Sequence, residues 1–162
     1  MASVKWLTNI DVTTTPFTGF QQLHSYRYTL DDPFDDPGDP VTLQHVRAAM
    51  KPLGLPDVDT GSRWLDRGRY QVAGKAWSGA GTIARVEFSS DNGATWRSVQ
   101  LDGEVSPWSW TRWSTTWTAT PGEHILRCRA RDSAGNEQPL HPAWNWLTMG
   151  MNGIEAHRVV VP

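Results

Sequence analysis

Arg85-Val86-Glu87-Phe88-Ser89-Ser90-Asp91-Asn92-Gly93-Ala94-Thr95-Trp96 decides the fold. Val86 and Phe88 alternate with Arg85 and Glu87, the period-two pattern of a half-buried strand. Asn92-Gly93 then supplies two residues that tolerate positive φ, as a tight hairpin turn requires, so Trp96 to Leu101 is expected to return antiparallel. The same stretch has the Ser-x-Asp-x-Gly-x-Thr-Trp spacing of an Asp-box, in which the aspartate accepts hydrogen bonds from the turn and the tryptophan packs beneath. One copy in 162 residues is too little for a propeller, so the motif reads as structural.

The pattern extends in both directions from the hairpin. Tyr70 to Trp77 alternates loosely, Ala84 joins the inward phase of Val86 and Phe88, and Trp108-Ser109-Trp110-Thr111-Arg112-Trp113 alternates again. Pro121-Gly122 turns into His124 to Arg131, where Leu126, Cys128 and Ala130 share one face and Arg127, Arg129 and Arg131 the other. His157 to Val161 reads as a last strand. Short strands at this spacing predict an all-β sandwich with Val72, Val86, Phe88, Trp96, Leu126, Cys128 and Ala130 in its core. Lys5 to Val12 is strand-like. Asp31 to Pro40, with five aspartates and three prolines, breaks any ladder, and its spacing fits a solvated acidic loop better than a calcium loop. Between Pro40 and Pro52, Leu43, Val46 and Met50 fit a helix, but an extended segment fits equally well.

Composition narrows function. The apolar runs are far too short for the ~18–20 residues of a membrane span, and Met1 to Trp6 lacks a basic stretch followed by an apolar one, so a soluble chain without a signal peptide is expected and no compartment is assigned. Net charge is −2, with eight acids against three bases in residues 31–66, which is no footprint for nucleic acid. A single cysteine excludes an internal disulfide and a multi-cysteine metal site. The five histidines are scattered and pair with no nucleophile, and the glycines of Trp77-Ser78-Gly79-Ala80-Gly81 lack the Lys-Ser/Thr of a phosphate loop. Ten tryptophans remain to be explained, as core, interface or ligand-stacking surface.

A longer resemblance runs through the chain. Ser3-Val4-Lys5-Trp6-Leu7-Thr8, Ala76-Trp77-Ser78-Gly79-x-Gly81, the hairpin itself, Trp108-x-Trp110, Arg129-Ala130-x-Asp132-x-x-Gly135, Gln138-Pro139, Trp144-Asn145 and His157-Arg158-Val159 stand in the order seen in the sulfite oxidase family of molybdenum enzymes. They resemble its C-terminal domain, the molybdenum-cofactor oxidoreductase dimerisation domain. Two departures stand out: Val105-Ser106-Pro107 where the family often has a base before Trp-x-Trp, and an asparagine, Asn152, farther from His157-Arg158 than in the family.

The resemblance implies an immunoglobulin-like sandwich of the E-set type that pairs two copies of a molybdopterin enzyme and borders its substrate channel, without the catalytic domain that holds the cofactor. Residues 1–12 would be a remnant of the junction with that domain, 13–65 an irregular acidic and proline-rich segment packed on the sandwich, and 66–162 the dimerisation core. Lys5 lies where a base would neutralise a pterin phosphate. The chain alone is expected to bind no molybdenum and to catalyse nothing. Its partners would be a second copy and a separate molybdopterin catalytic domain. Two tryptophans and two methionines in eight residues make Trp144, Trp146, Met149 and Met151 the candidate dimer surface. The alternative, a carbohydrate-binding module, needs a row of exposed tryptophans, whereas Trp77, Trp96 and Trp144 are expected to be packed.

Overall fold

Strand pairing, rather than helix, takes up almost all of the regular structure. The computed structural model describes residues 5–32, 34–103 and 106–162, so Ser3, Val4, Pro33 and Val105 of the stretches quoted above lie outside the described residues. Packing divides the chain into two units, Met1–Val41 with Asn145–Met149 and Thr42–Trp144 with Gly150–Pro162.

In the smaller unit a single π-type turn, Gln21–Ser25, precedes an antiparallel pair formed by β1 (Arg27–Tyr28) and β2 (Asp39–Pro40). Between them the acidic loop is tied locally. Asp32 Oδ1 accepts from the Phe34 N–H at 3.0 Å, Asp36 Oδ1 from the Gly38 N–H at 2.9 Å, and the Arg27 guanidinium donates to the carbonyls of Pro37 and Gly38. Turns of this kind need only aspartates with short local reach. Lys5 to Val12 is not a strand, contrary to its alternating pattern. It pairs with no neighbour, and Trp6, Leu7, Ile10 and Val12 are all exposed.

The larger unit contains β3 (Arg47–Met50), β4 (Leu55–Pro56), β5 (Arg63–Trp64), β6 (Gly68–Trp77), β7 (Ile83–Ser89), β8 (Arg97–Ser98), β9 (Gln100–Asp102), β10 (Thr111–Ala119), β11 (Gly122–Asp132) and β12 (His157–Val161). They form a four-stranded sheet, β3-β6-β10-β9, and a six-stranded one, β4-β5-β12-β11-β7-β8. Pairing is antiparallel except between β12 and β5. The architecture is an immunoglobulin-like β-sandwich. Residues 42–65, read above as part of an irregular segment, supply β3, β4 and β5 to its sheets. The open question before Pro52 resolves as extended, because Val46, Ala48 and Met50 are buried at period two.

The hairpin forms as read, with Asn92 at φ 62° and Gly93 at φ 90°. Its return strand pairs with β7 only over Arg97–Ser98; after Val99 the chain crosses to the other sheet as β9. Ala84 is the extra residue of a bulge opposite Arg131 and Asp132, so Ile83 is buried and Ala84 exposed, the reverse of the simple alternation.

Val72, Val86, Phe88, Leu126, Cys128 and Ala130 are core residues, joined by Trp113, Val159 and Ala76. Trp96 is not. It lies on the outer face of β11, with the Arg129 guanidinium 4.4 Å above its ring, because Arg129 faces away from Cys128 and Ala130. Burial pushes the Cys128 thiol up to about 12. Thiolate is the reactive form, so Cys128 is expected to resist a thiol reagent at pH 8 in the native state and to react at the rate of a free thiol once unfolded. Native-state labelling as fast as unfolded labelling would contradict this burial.

Candidate functional site

The sandwich carries a cleft of about 220 Å³ lined by Thr42, Leu43, Gln44, Trp77, Ser78, Gly79, Trp108, Ser109 and Trp110. Three short segments make its walls, and each is held by a specific feature of the sequence. Gly79 donates its N–H to the Gln44 carbonyl at 2.8 Å, and a Cβ at Gly79 would lie 2.7 Å from the Gln44 nitrogen. Only glycine lets residues 42–44 approach the β6 end so closely. Ser78 Oγ donates to Asp132 Oδ2 at 2.7 Å and accepts the Ala80 N–H at 3.0 Å.

Asp132 anchors this wall from β11. Its carboxylate also accepts the Asn136 N–H at 2.8 Å and the Asn136 side-chain amide at 2.9 Å, and the residue is 2% exposed. Burial pushes the carboxyl up. The bonds from the Asn136 and Ser78 side chains and the local backbone outweigh it and hold the group below its ordinary value. The Trp77-Ser78-Gly79 corner is thus fastened to the far end of β11, 54 residues along the chain.

The third wall is the Trp-x-Trp segment. It is not strand, as the alternation suggested, because Trp108 sits at φ 62° and the ladder of β10 starts only at Thr111. A bulky residue there costs about 1–2 kcal/mol. Trp108 is 80% exposed and Trp110 63%, and the Lys75 ammonium rests 4.0 Å above the Trp110 ring. The cleft therefore offers indole faces, hydroxyls of Thr42 and Ser109, and one neighbouring cation. Among the described residues its lining is made of indoles, hydroxyls, an amide and backbone, groups that can position or admit a ligand.

The other residues singled out from the sequence are dispersed. Lys5 is exposed in the smaller unit. Trp144 (65% exposed) and Met151 (53%) belong to the sandwich; Trp146 (52%) and the half-buried Met149 belong to the smaller unit. Trp144 is thus not the packed residue its motif suggested, and Trp77 and Trp96 are only partly buried. Asn145, between the two tryptophans, is the packed member: its side chain closes a turn with the Met149 backbone at 2.7 and 2.9 Å. Sequence reasoning missed residues 42–44 and Lys75, which carry no motif. Among the described residues, no three metal-ligating side chains converge, and no helix is long and apolar enough to cross a membrane.

Residues 48–162 match the profile of the Mo-co oxidoreductase dimerisation domain. The chain belongs to that family. It is 32% identical to sulfite oxidase of Gallus gallus over 96% of its length, covering 35% of that protein. It is 35% identical to the mitochondrial sulfite oxidase of Homo sapiens over 60% of its length, covering 19% of that protein, and 35% identical to an inducible NADH nitrate reductase of Glycine max over 55% of its length, covering 11%. The chain therefore spans about a third or less of the curated relatives it matches. In fold it is similar to the sulfane dehydrogenase SoxCD of Paracoccus pantotrophus, with a TM-score of 0.71 over 88% of this chain and 36% of that one at 23% identity. Membership of this dimerisation-domain family, rather than of a carbohydrate-binding one, accounts for the landmarks spread along the sequence.

Proposed function

We propose that this chain is the pairing and channel-lining part of a molybdopterin-dependent oxidoreductase of the sulfite oxidase type, and that two copies associate as a homodimer. The observation that carries the reading is the exposure of Trp144, Trp146 and Met151 in a chain of a dimerisation family. Large apolar side chains left in solvent mark association surfaces, and tryptophan and methionine are enriched at their centres. The cleft between Trp77, Trp108 and Trp110 is assigned to the wall of the substrate channel, and residues 1–12 with Lys5 to the junction with a cofactor-binding domain.

The residues of this chain do not themselves fit the cofactor. A cysteine ligates a metal as its thiolate, and Cys128 is a core thiol held protonated; Lys5 is exposed, at the edge of the described residues. The redox step is accordingly assigned to another domain, and this chain contributes pairing and access.

Sedimentation equilibrium across a wide concentration range tests the pairing. A monomer–dimer equilibrium with a dissociation constant of about micromolar is expected for a standard-sized interface. Trp144→Ala and Trp146→Ala should each weaken it roughly tenfold or more. A monomer at every concentration rejects the homodimer, and a dimer indifferent to both substitutions rejects these two tryptophans as its contacts.

A further inference from the structure

Trp108 holds its indole in solvent at a cost. Its backbone sits at φ 62°, where a residue with a Cβ is disfavoured, and the ring gains no burial in exchange, being 80% exposed. Such strain persists where the surrounding structure over-determines it, and it gathers at ligand clamps. The other walls of the cleft are fixed firmly: Gly79 lets residues 42–44 close in, and Ser78 is fastened to Asp132. Three indoles, those of Trp77, Trp108 and Trp110, therefore border one held cleft.

Size and polar groups limit what this cleft takes. About 220 Å³ is below the ~300–1,000 Å³ of sites for drug-sized ligands, so a single ring fits rather than a fused or chained system. Among the described residues every lining side chain is uncharged, so an inorganic oxyanion meets no opposite charge in the wall. Two of the hydroxyls are already engaged as donors, Ser78 Oγ to Asp132 and Ser109 Oγ to the Ser106 carbonyl at 3.1 Å. Ser78 Oγ also accepts the Ala80 N–H. A hydroxyl has one proton to give and two lone pairs, so Ser109 Oγ is suited to accept from a ligand O–H.

Trp110 decides between kinds of ring. The Lys75 ammonium rests 4.0 Å from the centre of that indole, and Lys75 is not part of the lining, so it loads the ring from one side and leaves the other to a ligand. A cation on one face draws π density toward itself. The opposite face then attracts a second cation or the C–H edge of a sugar less, and an electron-rich aromatic ring more. We infer that the cleft binds a single electron-rich aromatic ring that bears a hydroxyl, a phenol, stacked on Trp108 and Trp110 with its O–H on Ser109 Oγ. This names the ligand class of the channel wall assigned above and rests on that assignment for its link to substrate, whereas the binding itself does not require pairing.

Titration of the full chain with p-cresol, followed by the indole N–H resonances in NMR, tests the inference. Saturable shifts of the Trp108 and Trp110 signals are expected, with a dissociation constant of about millimolar for so few ligand atoms. Methyl β-glucopyranoside, tetramethylammonium and sulfite should each bind several-fold more weakly. Trp108→Ala should weaken p-cresol about three- to tenfold, the range of one aromatic stacking contact. Ser109→Ala should abolish the preference for p-cresol over p-methylanisole, which has the ring but no O–H to give. Trp146→Ala should leave binding unchanged, and the remaining indole signals show that each variant is folded. The inference is overturned by the absence of a saturable shift, by tighter binding of the glucoside, the cation or sulfite, by Trp108→Ala binding as wild type does, or by Ser109→Ala keeping the preference. Pairing is read separately: a monomer that binds p-cresol contradicts the homodimer alone, and a dimer whose cleft ignores p-cresol contradicts this inference alone.

Discussion

Trp113→Ala is expected to destabilise the domain by about 3–5 kcal/mol, a large share of the roughly 5–15 kcal/mol that holds an ordinary domain folded. Trp113 is fully buried in the first half of β10, opposite Gly74 of β6. The two positions form one packing unit. A Cβ at Gly74 would stand 2.5 Å from the indole Cζ2 and 2.1 Å from the Ala49 carbonyl oxygen, so the indole occupies the space that the missing side chain leaves. Alanine at 113 empties that space and the structure around it collapses only in part. Denaturant unfolding checks the magnitude; a loss under about 1 kcal/mol would mean that the sandwich does not depend on this contact.

Asp132→Ala is expected to cost about 2–4 kcal/mol, the range for breaking a buried hydrogen-bond network. The carboxylate satisfies Ser78 and both donors of Asn136, and removing it strands them. Asp132→Asn keeps the shape and half the acceptors and should fall between wild type and alanine. The pH dependence separates this from simple packing. Because the folded carboxyl is held below its ordinary value, the wild type draws stability from it above the usual carboxylate pKa of about 3.9 and loses it as pH falls below that. The alanine variant should lack this part of the acid dependence, so an acid limb identical to that of the wild type would remove Asp132 from the account. Loosening the Trp77-Ser78-Gly79 wall should also show as a change in tryptophan emission near neutral pH.

Much of the sandwich was legible because its strands obey one rule. Where both faces of a strand differ, as in Leu126, Cys128 and Ala130 against Arg127, Arg129 and Arg131, periodicity alone assigns inside and outside. The rule fails where the backbone departs from a flat ladder. The bulge at Ala84 reverses the phase of Ile83, and the positive φ of Trp108 turns an alternating Trp-x-Trp into a loop. Lys5 to Val12 shows the opposite failure: the pattern of a strand without a partner strand to pair with it. Trp96 was misplaced because a tryptophan under a turn can cover either face, and only the position of Arg129 decides which.

The cleft was half legible. Trp77, Ser78, Gly79, Trp108 and Trp110 stood out as landmarks, but nothing in Thr42-Leu43-Gln44 announces that a glycine 35 residues later will admit it. Lys75 was equally silent, since a lysine on a strand is ordinarily a solvated charge and only the loop folding over it gives it Trp110 as a neighbour.

The crossing at Val99 bears on how the molecule comes apart. One residue separates β8, hydrogen-bonded into one sheet, from β9, hydrogen-bonded into the other, and its N–H is tethered to the Val86 carbonyl at 3.0 Å. The two layers are therefore stitched by a segment too short to stretch, directly beside a turn that closes from local sequence alone. Neither layer of the sandwich is expected to peel away while its neighbour persists, so chemical denaturation followed by tryptophan emission and by far-UV dichroism should give coincident transitions for this unit. Refolding gains a nucleus that spans both layers with little loop entropy to overcome.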